Sequence, residues 1–82
     1  MHYQLGISEK AKRALRLLPR NVRQEIGYKL YLLQDDLQGD IKKLRGSENE
    51  YRLRVGDFRV KFRLEGDLIA VYKVGNRKDV YQ

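Results

Sequence analysis

Between Tyr51 and Leu64 the chain reads YRLRVGDFRVKFRL, with apolar and polar side chains alternating on either side of a central Gly-Asp pair. This is the period-2 pattern of two strands joined by a two-residue hairpin turn. With Gly56-Asp57 as the turn, Val55 faces Phe58, Arg54 faces Arg59, Leu53 faces Val60, Arg52 faces Lys61 and Tyr51 faces Phe62. One face of the ribbon is then apolar: Tyr51, Leu53, Val55, Phe58, Val60, Phe62 and Leu64. The other carries Arg52, Arg54, Arg59, Lys61 and Arg63. Like charges directly opposite one another destabilise a sheet, and nothing within the ribbon returns that cost. A local conflict of this kind marks a functional surface, so the pattern predicts a polyanion-binding face backed by a small core.

The remaining pattern supplies that core. Tyr3 to Ile7 alternates and predicts a short first strand, and Ser8 with Glu9 behind it reads as a helix N-cap and first turn. Ala11, Ala14, Leu15, Leu17 and Leu18 recur at helical spacing up to Pro19, which closes one helix and opens the next. From Val22 a second stripe continues through Ile26, Leu30, Leu33 and Leu37, widened by Tyr28, Tyr31 and Leu32, until Gln38-Gly39 stops it. Gly27 lies inside this helix at a cost of about 1 kcal/mol relative to Ala, which predicts close packing there. Ile41 to Gly46 is a short strand, residues 47 to 50 form a polar loop, and Glu65-Gly66-Asp67 is a second tight turn. Leu68 to Val74 is apolar at nearly every position, as expected of a central strand buried on both faces. Gly75 to Asp79 breaks the pattern before Val80-Tyr81-Gln82. The fold class is therefore α+β, in the order β-α-α-β-β-β(-β), with a mostly antiparallel sheet packed against a two-helix hairpin.

Composition narrows the function classes. The 82 residues fit a single domain, 1–82, with a modest core, and 41% hydrophobic against 35% charged residues is globular composition. No apolar run is long enough to span a membrane and no signal-peptide pattern is present, which predicts a cytoplasmic protein with no membrane partner. Zero cysteines exclude disulfides and thiolate chemistry, and one histidine leaves no zinc pattern. No metal or other cofactor is expected. A formal charge of +7 suits a nucleic acid or an acidic protein. Lys43 and Arg45, beside the hairpin, are candidate contacts to RNA, although lysine on an edge strand also guards against aggregation.

The motifs K-x-L-x-G (Lys43, Leu44, Gly46), Y-R-L-R (Tyr51 to Arg54), G-D-F-R-V (Gly56 to Val60) and V-G-N-R-K-D-V-Y (Val74 to Tyr81), following one strand and two helices, resemble the RelE/ParE superfamily of bacterial and archaeal toxins. The resemblance covers essentially the whole chain and is specific in order and spacing. It implies the toxin of a type II toxin–antitoxin pair. RelE-like members cut mRNA in the ribosomal A site without metal, and ParE-like members inhibit DNA gyrase. The basic constellation of the RelE-like branch maps onto Arg52 and Arg54, then Arg59, then Arg77 and finally Tyr81. Lys43, Arg45, Lys61, Arg63 and Lys78 are the implied contacts to mRNA and ribosomal RNA.

The implied reaction is attack of a ribose 2′-hydroxyl on the adjacent phosphate, leaving a 2′,3′-cyclic phosphate and a 5′-hydroxyl. It requires removal of one proton, stabilisation of a phosphorane-like charge and delivery of another proton. Arg59, planar and always charged, is the candidate for that charge, and Arg77 for the leaving oxygen or a neighbouring phosphate. Tyr81 either serves as the base, its phenolate favoured by surrounding arginines, or stacks on a substrate base. The chain ends one residue beyond Tyr81, without the C-terminal helix of some relatives, and has no His/Glu acid–base pair. Slow cleavage of free RNA and dependence on the ribosome are therefore expected. The resemblance also implies an acidic, partly disordered antitoxin that covers the helical hairpin or the basic face and carries the complex to operator DNA. Two alternatives stand beside this reading: a ParE-like gyrase inhibitor, and a non-catalytic module that only binds its antitoxin.

Overall fold

The structure, a computed structural model, describes residues 2–76. Its elements are β1 (Gln4–Ile7), α1 (Glu9–Arg16), α2 (Arg20–Leu33), β2 (Ile41–Lys43), β3 (Glu50–Val55), β4 (Phe58–Glu65) and β5 (Leu68–Asn76). The strands form one sheet in the order β1-β5-β4-β3-β2, with β1 parallel to β5 and the other pairs antiparallel. The two helices pack on one face of it, so the α+β class and the element order are those read from the sequence.

Local chemistry explains the helix boundaries. The Ser8 hydroxyl accepts from the Ala11 backbone N–H at 3.1 Å, with Glu9 in the first turn of α1 and Arg13 and Arg16 in the last. Both charge placements suit the helix dipole. Pro19 is the N-cap of α2, its ring presetting a φ compatible with helix entry. The second helix ends at Leu33, one turn before the leucine pattern does, because Asp36 and Leu37 take left-handed φ values of 59° and 56°. Leu37 still packs against the core from this turn. The turn is also tied to the start of the chain, since the Tyr3 N–H donates to the Gln34 carbonyl at 2.7 Å and the Gln34 side-chain amide returns a bond to the Tyr3 carbonyl at 3.0 Å.

The hairpin has the register that alternation predicts, from Val55 opposite Phe58 to Tyr51 opposite Phe62. Gly56 has φ of 58°, and Asp57 is not among the residues with positive φ, which is the pattern of a type II′ turn. Ala11, Ile26, Leu30 and Leu33 from the helices meet Leu53, Val55, Val60, Phe62, Ile69, Val71 and Val74 from the sheet in one buried core. Each large side chain there contributes on the order of 1.5–3 kcal/mol by leaving water. Tyr51 and Phe62 stack with ring centroids 5.5 Å apart on the same face.

Three expectations change. The apolar run of β5 does not mean burial on both faces. A bulge opposite Lys61/Phe62 pairs Val60 with Val74 and Phe62 with Val71, leaving Tyr72 as the extra residue. That phase shift turns Ile69, Val71 and Val74 all inward, while Leu68, Ala70 and Tyr72 are only half-buried. Gly27 is not closely packed: a Cβ there would meet nothing within 4 Å. The helical apolar stripe is also narrower than its sequence, because Leu17, Tyr28 and Tyr31 are 86%, 58% and 68% exposed.

Candidate functional site

The face of the sheet opposite the helices carries the cations. Pairing carries them across strands: Lys42 of β2 is opposite Arg52 of β3, Arg52 opposite Lys61 of β4, and Lys61 opposite Lys73 of β5. Four cationic residues thus form one transverse row. Lys42 is exposed and the other three are half-buried. Each adjacent pair opposes its own charge, a cost of a few tenths to about 1 kcal/mol per pair. Arg52 and Lys61 were expected here. Lys42 and Lys73 were not, because their alignment depends on the register of β2 and on the bulge in β5.

A second row, about 7 Å along the strands, places Arg54 opposite Arg59 and Arg59 opposite Gly75. Gly75 has no side chain to extend the row across β5. Arg54 is exposed, and its backbone N–H donates to the Asp40 carbonyl at 2.9 Å. Arg59 behaves differently: it is 3% exposed, and its Nη1 donates to the carbonyls of Gly56 and Phe58, both at 3.0 Å. The arginine singled out for transition-state charge therefore also fastens the hairpin turn.

On the other side of the four-cation row, Arg63 is opposite Glu50 on β3 and Ala70 on β5. The Arg63 guanidinium lies 4.2 Å from the centroid of the Tyr72 ring, and its Nε is 3.8 Å from the Glu50 carboxylate. A hydrogen bond from the Tyr72 hydroxyl is the main cause that holds the Glu50 carboxyl below its usual range, with Ser47, Arg63 and Lys61 acting in the same direction. Desolvation, and then Glu50 itself, pushes the Tyr72 phenol up to about 12. This tyrosine is a donor, not a base. Glu50 begins β3 one residue before the alternating stretch and neutralises one end of a face that the ribbon alone leaves uncompensated. The signal for it was available in the sequence, since Glu50 continues the polar phase Arg54, Arg52.

Lys43 is opposite Tyr51, hence on the helix-side phase at the open edge of the sheet, out of line with Arg52. It nevertheless joins Lys42, Leu44, Arg45 and Arg52 in lining an open groove around β2 and the loop that follows. Arg77, Lys78 and Tyr81 lie outside the described residues. Among the described residues no three His, Cys, Asp or Glu side chains gather in a metal-binding group, and no helix is long and apolar enough to cross a membrane.

No protein-family model matches the chain. A curated protein named toxin RelE3, from Methanocaldococcus jannaschii, is 45% identical over 47 residues, 57% of this chain. The match spans about half (53%) of that relative's length. The toxin–antitoxin complex RelB-RelE from Methanococcus jannaschii superimposes with a TM-score of 0.80 at 30% identity, covering 93% of this chain and 94% of the other. The isolated E. coli RelE toxin gives a TM-score of 0.80 at 26% identity over 96% of this chain and 90% of its own. At 30% identity to the Methanococcus jannaschii structure with nearly complete mutual coverage, the chain belongs to the RelE family of toxins.

Proposed function

We propose that this chain is the toxin of a type II toxin–antitoxin system and acts as a ribosome-dependent endoribonuclease on mRNA. The observation that carries this reading is the row Lys42-Arg52-Lys61-Lys73 with Arg54 and Arg59 beside it. Six cationic residues on one sheet face, aligned at a cost to stability, match the repeating charge of a nucleic-acid backbone. Arg52 and Arg54 bind the phosphates flanking the scissile bond. Arg59, always charged and fixed at the hairpin turn, is the residue that stabilises the developing charge. Arg77 and Tyr81 complete the site, Arg77 at the leaving oxygen and Tyr81 in proton handling or base stacking. Lys43, Arg45, Lys61, Arg63 and Lys78 hold mRNA and ribosomal RNA. No cofactor enters the reaction: the nucleophile is the substrate's own 2′-hydroxyl, and the ribosome supplies the alignment that raises its effective concentration.

The partner is an acidic antitoxin. Exposed Leu17 at the end of α1 and Tyr28 and Tyr31 on α2 offer it apolar contacts, and the cationic face offers it a surface of opposite charge. Relatives solved as RelB-RelE complexes support such a partner.

Primer extension on an mRNA translated in vitro tests the nuclease reading. Discrete cuts within A-site codons are expected from the wild type, with a loss of 100-fold or more, about 3 kcal/mol of barrier, in Arg54→Ala and Arg59→Ala. Intact mRNA from a wild-type protein that still arrests growth would overturn it and turn attention to gyrase supercoiling.

A further inference from the structure

The row and its neighbours account for phosphate binding, but not for the cluster at the Arg63 end. A carboxylate is out of place on a face built for a polyanion, and Glu50 is a third exposed there, with its side chain at 31%. The Glu50 backbone N–H donates to the Ser47 hydroxyl at 3.1 Å, and its carboxylate lies 3.8 Å from the Arg63 Nε. Opposite Arg63 stands Ala70, whose small side chain lets the guanidinium lie across to the Tyr72 ring, 4.2 Å from its centroid. The guanidinium lies over the ring, and 46% of the Arg63 side chain is exposed.

A guanidinium plane backed by an aromatic ring is a stacking surface for a nucleobase. A carboxylate is an acceptor only, so at its edge it selects bases by the donors they present. Guanine places two donors side by side, the ring N1–H and the exocyclic amine, which match two carboxylate oxygens. The distance from the four-cation row is one further side-chain repeat along the strand, about 7 Å, close enough for one nucleotide to place its phosphate on the row and its base on Arg63.

We propose that Arg63, Tyr72 and Glu50 form a base-binding subsite at the end of the cationic strip, stacking a single-stranded RNA base on the Arg63 plane and selecting guanine through Glu50. The proposal rests on the RNA-binding part of the reading above and not on catalysis. Tyr72 is the positioning residue: it supports the guanidinium from below and orients the carboxylate by hydrogen bonding. The Tyr72 hydrogen bond that lowers the Glu50 carboxyl favours the ionised, acceptor-only form.

The test is binding of fluorescently labelled oligouridylate, and of the same strand with one central guanosine or one central inosine, to wild type, Glu50→Gln, Arg63→Lys and Tyr72→Phe. Inosine keeps N1–H and lacks the amine. The wild type should bind the guanosine strand roughly tenfold tighter than the uridine strand, with inosine between, in line with a good bidentate contact. Glu50→Gln should erase the difference between guanosine and inosine. Arg63→Lys keeps the charge and loses the plane, so affinity for the guanosine strand should fall about fivefold and that for the uridine strand should fall with it, stacking being sequence-tolerant and worth at least that much. Tyr72→Phe should narrow the guanosine preference without abolishing it. Equal wild-type affinity for all three strands, or a preference that survives Glu50→Gln, would overturn the subsite. Because no cleavage is needed, guanosine preference with uncut mRNA would sink the nuclease reading alone, and cut mRNA without preference would sink the subsite alone.

Discussion

On the helix-covered face of the sheet, Leu53, Val60, Phe62 and Ile69 are completely buried. One residue away along the same strands, Arg52, Lys61 and Lys73 stand side by side with Lys42 on the opposite face. The backbone, register and twist are common to both faces, so the difference belongs to the side chains alone. The inner face gains energy from every neighbour it has, whereas each like-charged neighbour on the outer face costs some. The strands are held by one side so that the other is free to be unfavourable. Substitutions on the two faces should therefore act on different quantities.

The largest effect on stability is expected inside. Phe62 is fully buried and stacked on Tyr51, so Phe62→Ala should cost about 3–5 kcal/mol through lost transfer energy and the cavity left behind. Urea denaturation would measure it. A loss below 1 kcal/mol would mean that the helices, and not this face, carry the fold.

Outside, the sign should reverse. Lys73→Thr removes one cation from the row and puts a β-branched residue in a central strand. Stability should rise by up to about 1 kcal/mol, while RNA binding weakens and its salt dependence falls by about one counterion. A protein that loses stability on this change would show that the lysine stem packs more than its charge repels.

Which parts of this contrast could be read from the sequence follows from what each part depends on. The hairpin register was legible because strict alternation and one Gly-Asp turn allow a single pairing, and the five outer residues of the ribbon followed from it. The end of α2 was not, since the leucine spacing continues to Leu37 while the backbone leaves the helix at Leu33; periodicity reports burial, and Leu37 is packed from a turn. The inward phase of β5 depended on a bulge that no local signal announces. The same bulge decides that Tyr72 meets Arg63 and that Lys73 meets Lys61. Residues chosen for charge, Arg52, Arg54, Arg59, Lys61 and Arg63, were recovered from one ribbon. Those that depend on a third or fourth strand, Lys42, Lys73 and Tyr72, were out of reach. Burial of Arg59 also escaped, because alternation assigns a face and not an exposure.

Gly27 offers a smaller effect away from both faces. With open space around its Cα and a helical conformation, Gly27→Ala should stabilise the protein by about 0.4–1 kcal/mol, mainly by restricting the unfolded chain. Neither RNA binding nor the base preference should move. An unchanged urea midpoint would show that helix propensity at this site is offset elsewhere.

The smallest expected effect tests the one place where the outer face compensates itself. Glu50 holds its proton less tightly in the folded protein than at the ordinary value of 4.5, chiefly because Tyr72 donates to it. Below that value the unfolded chain binds the extra proton first, so stability is present above 4.5 and is lost as pH falls. Tyr72 holds its proton more tightly, up to about 12 against 10.0. Between those values the unfolded chain has released a proton that the folded one keeps, so stability falls as pH rises through the window. Both side chains are partly exposed, which keeps both slopes shallow. Urea midpoints measured against pH should show an acid slope that Glu50→Gln reduces and an alkaline slope that Tyr72→Phe reduces. Because the Glu50 shift depends first on the Tyr72 hydroxyl, Tyr72→Phe should also flatten the acid slope. If it leaves the acid slope intact, Glu50 is held by the cations around it instead, and the neutralised end of the face is an electrostatic balance without the hydrogen bond that orients its carboxylate.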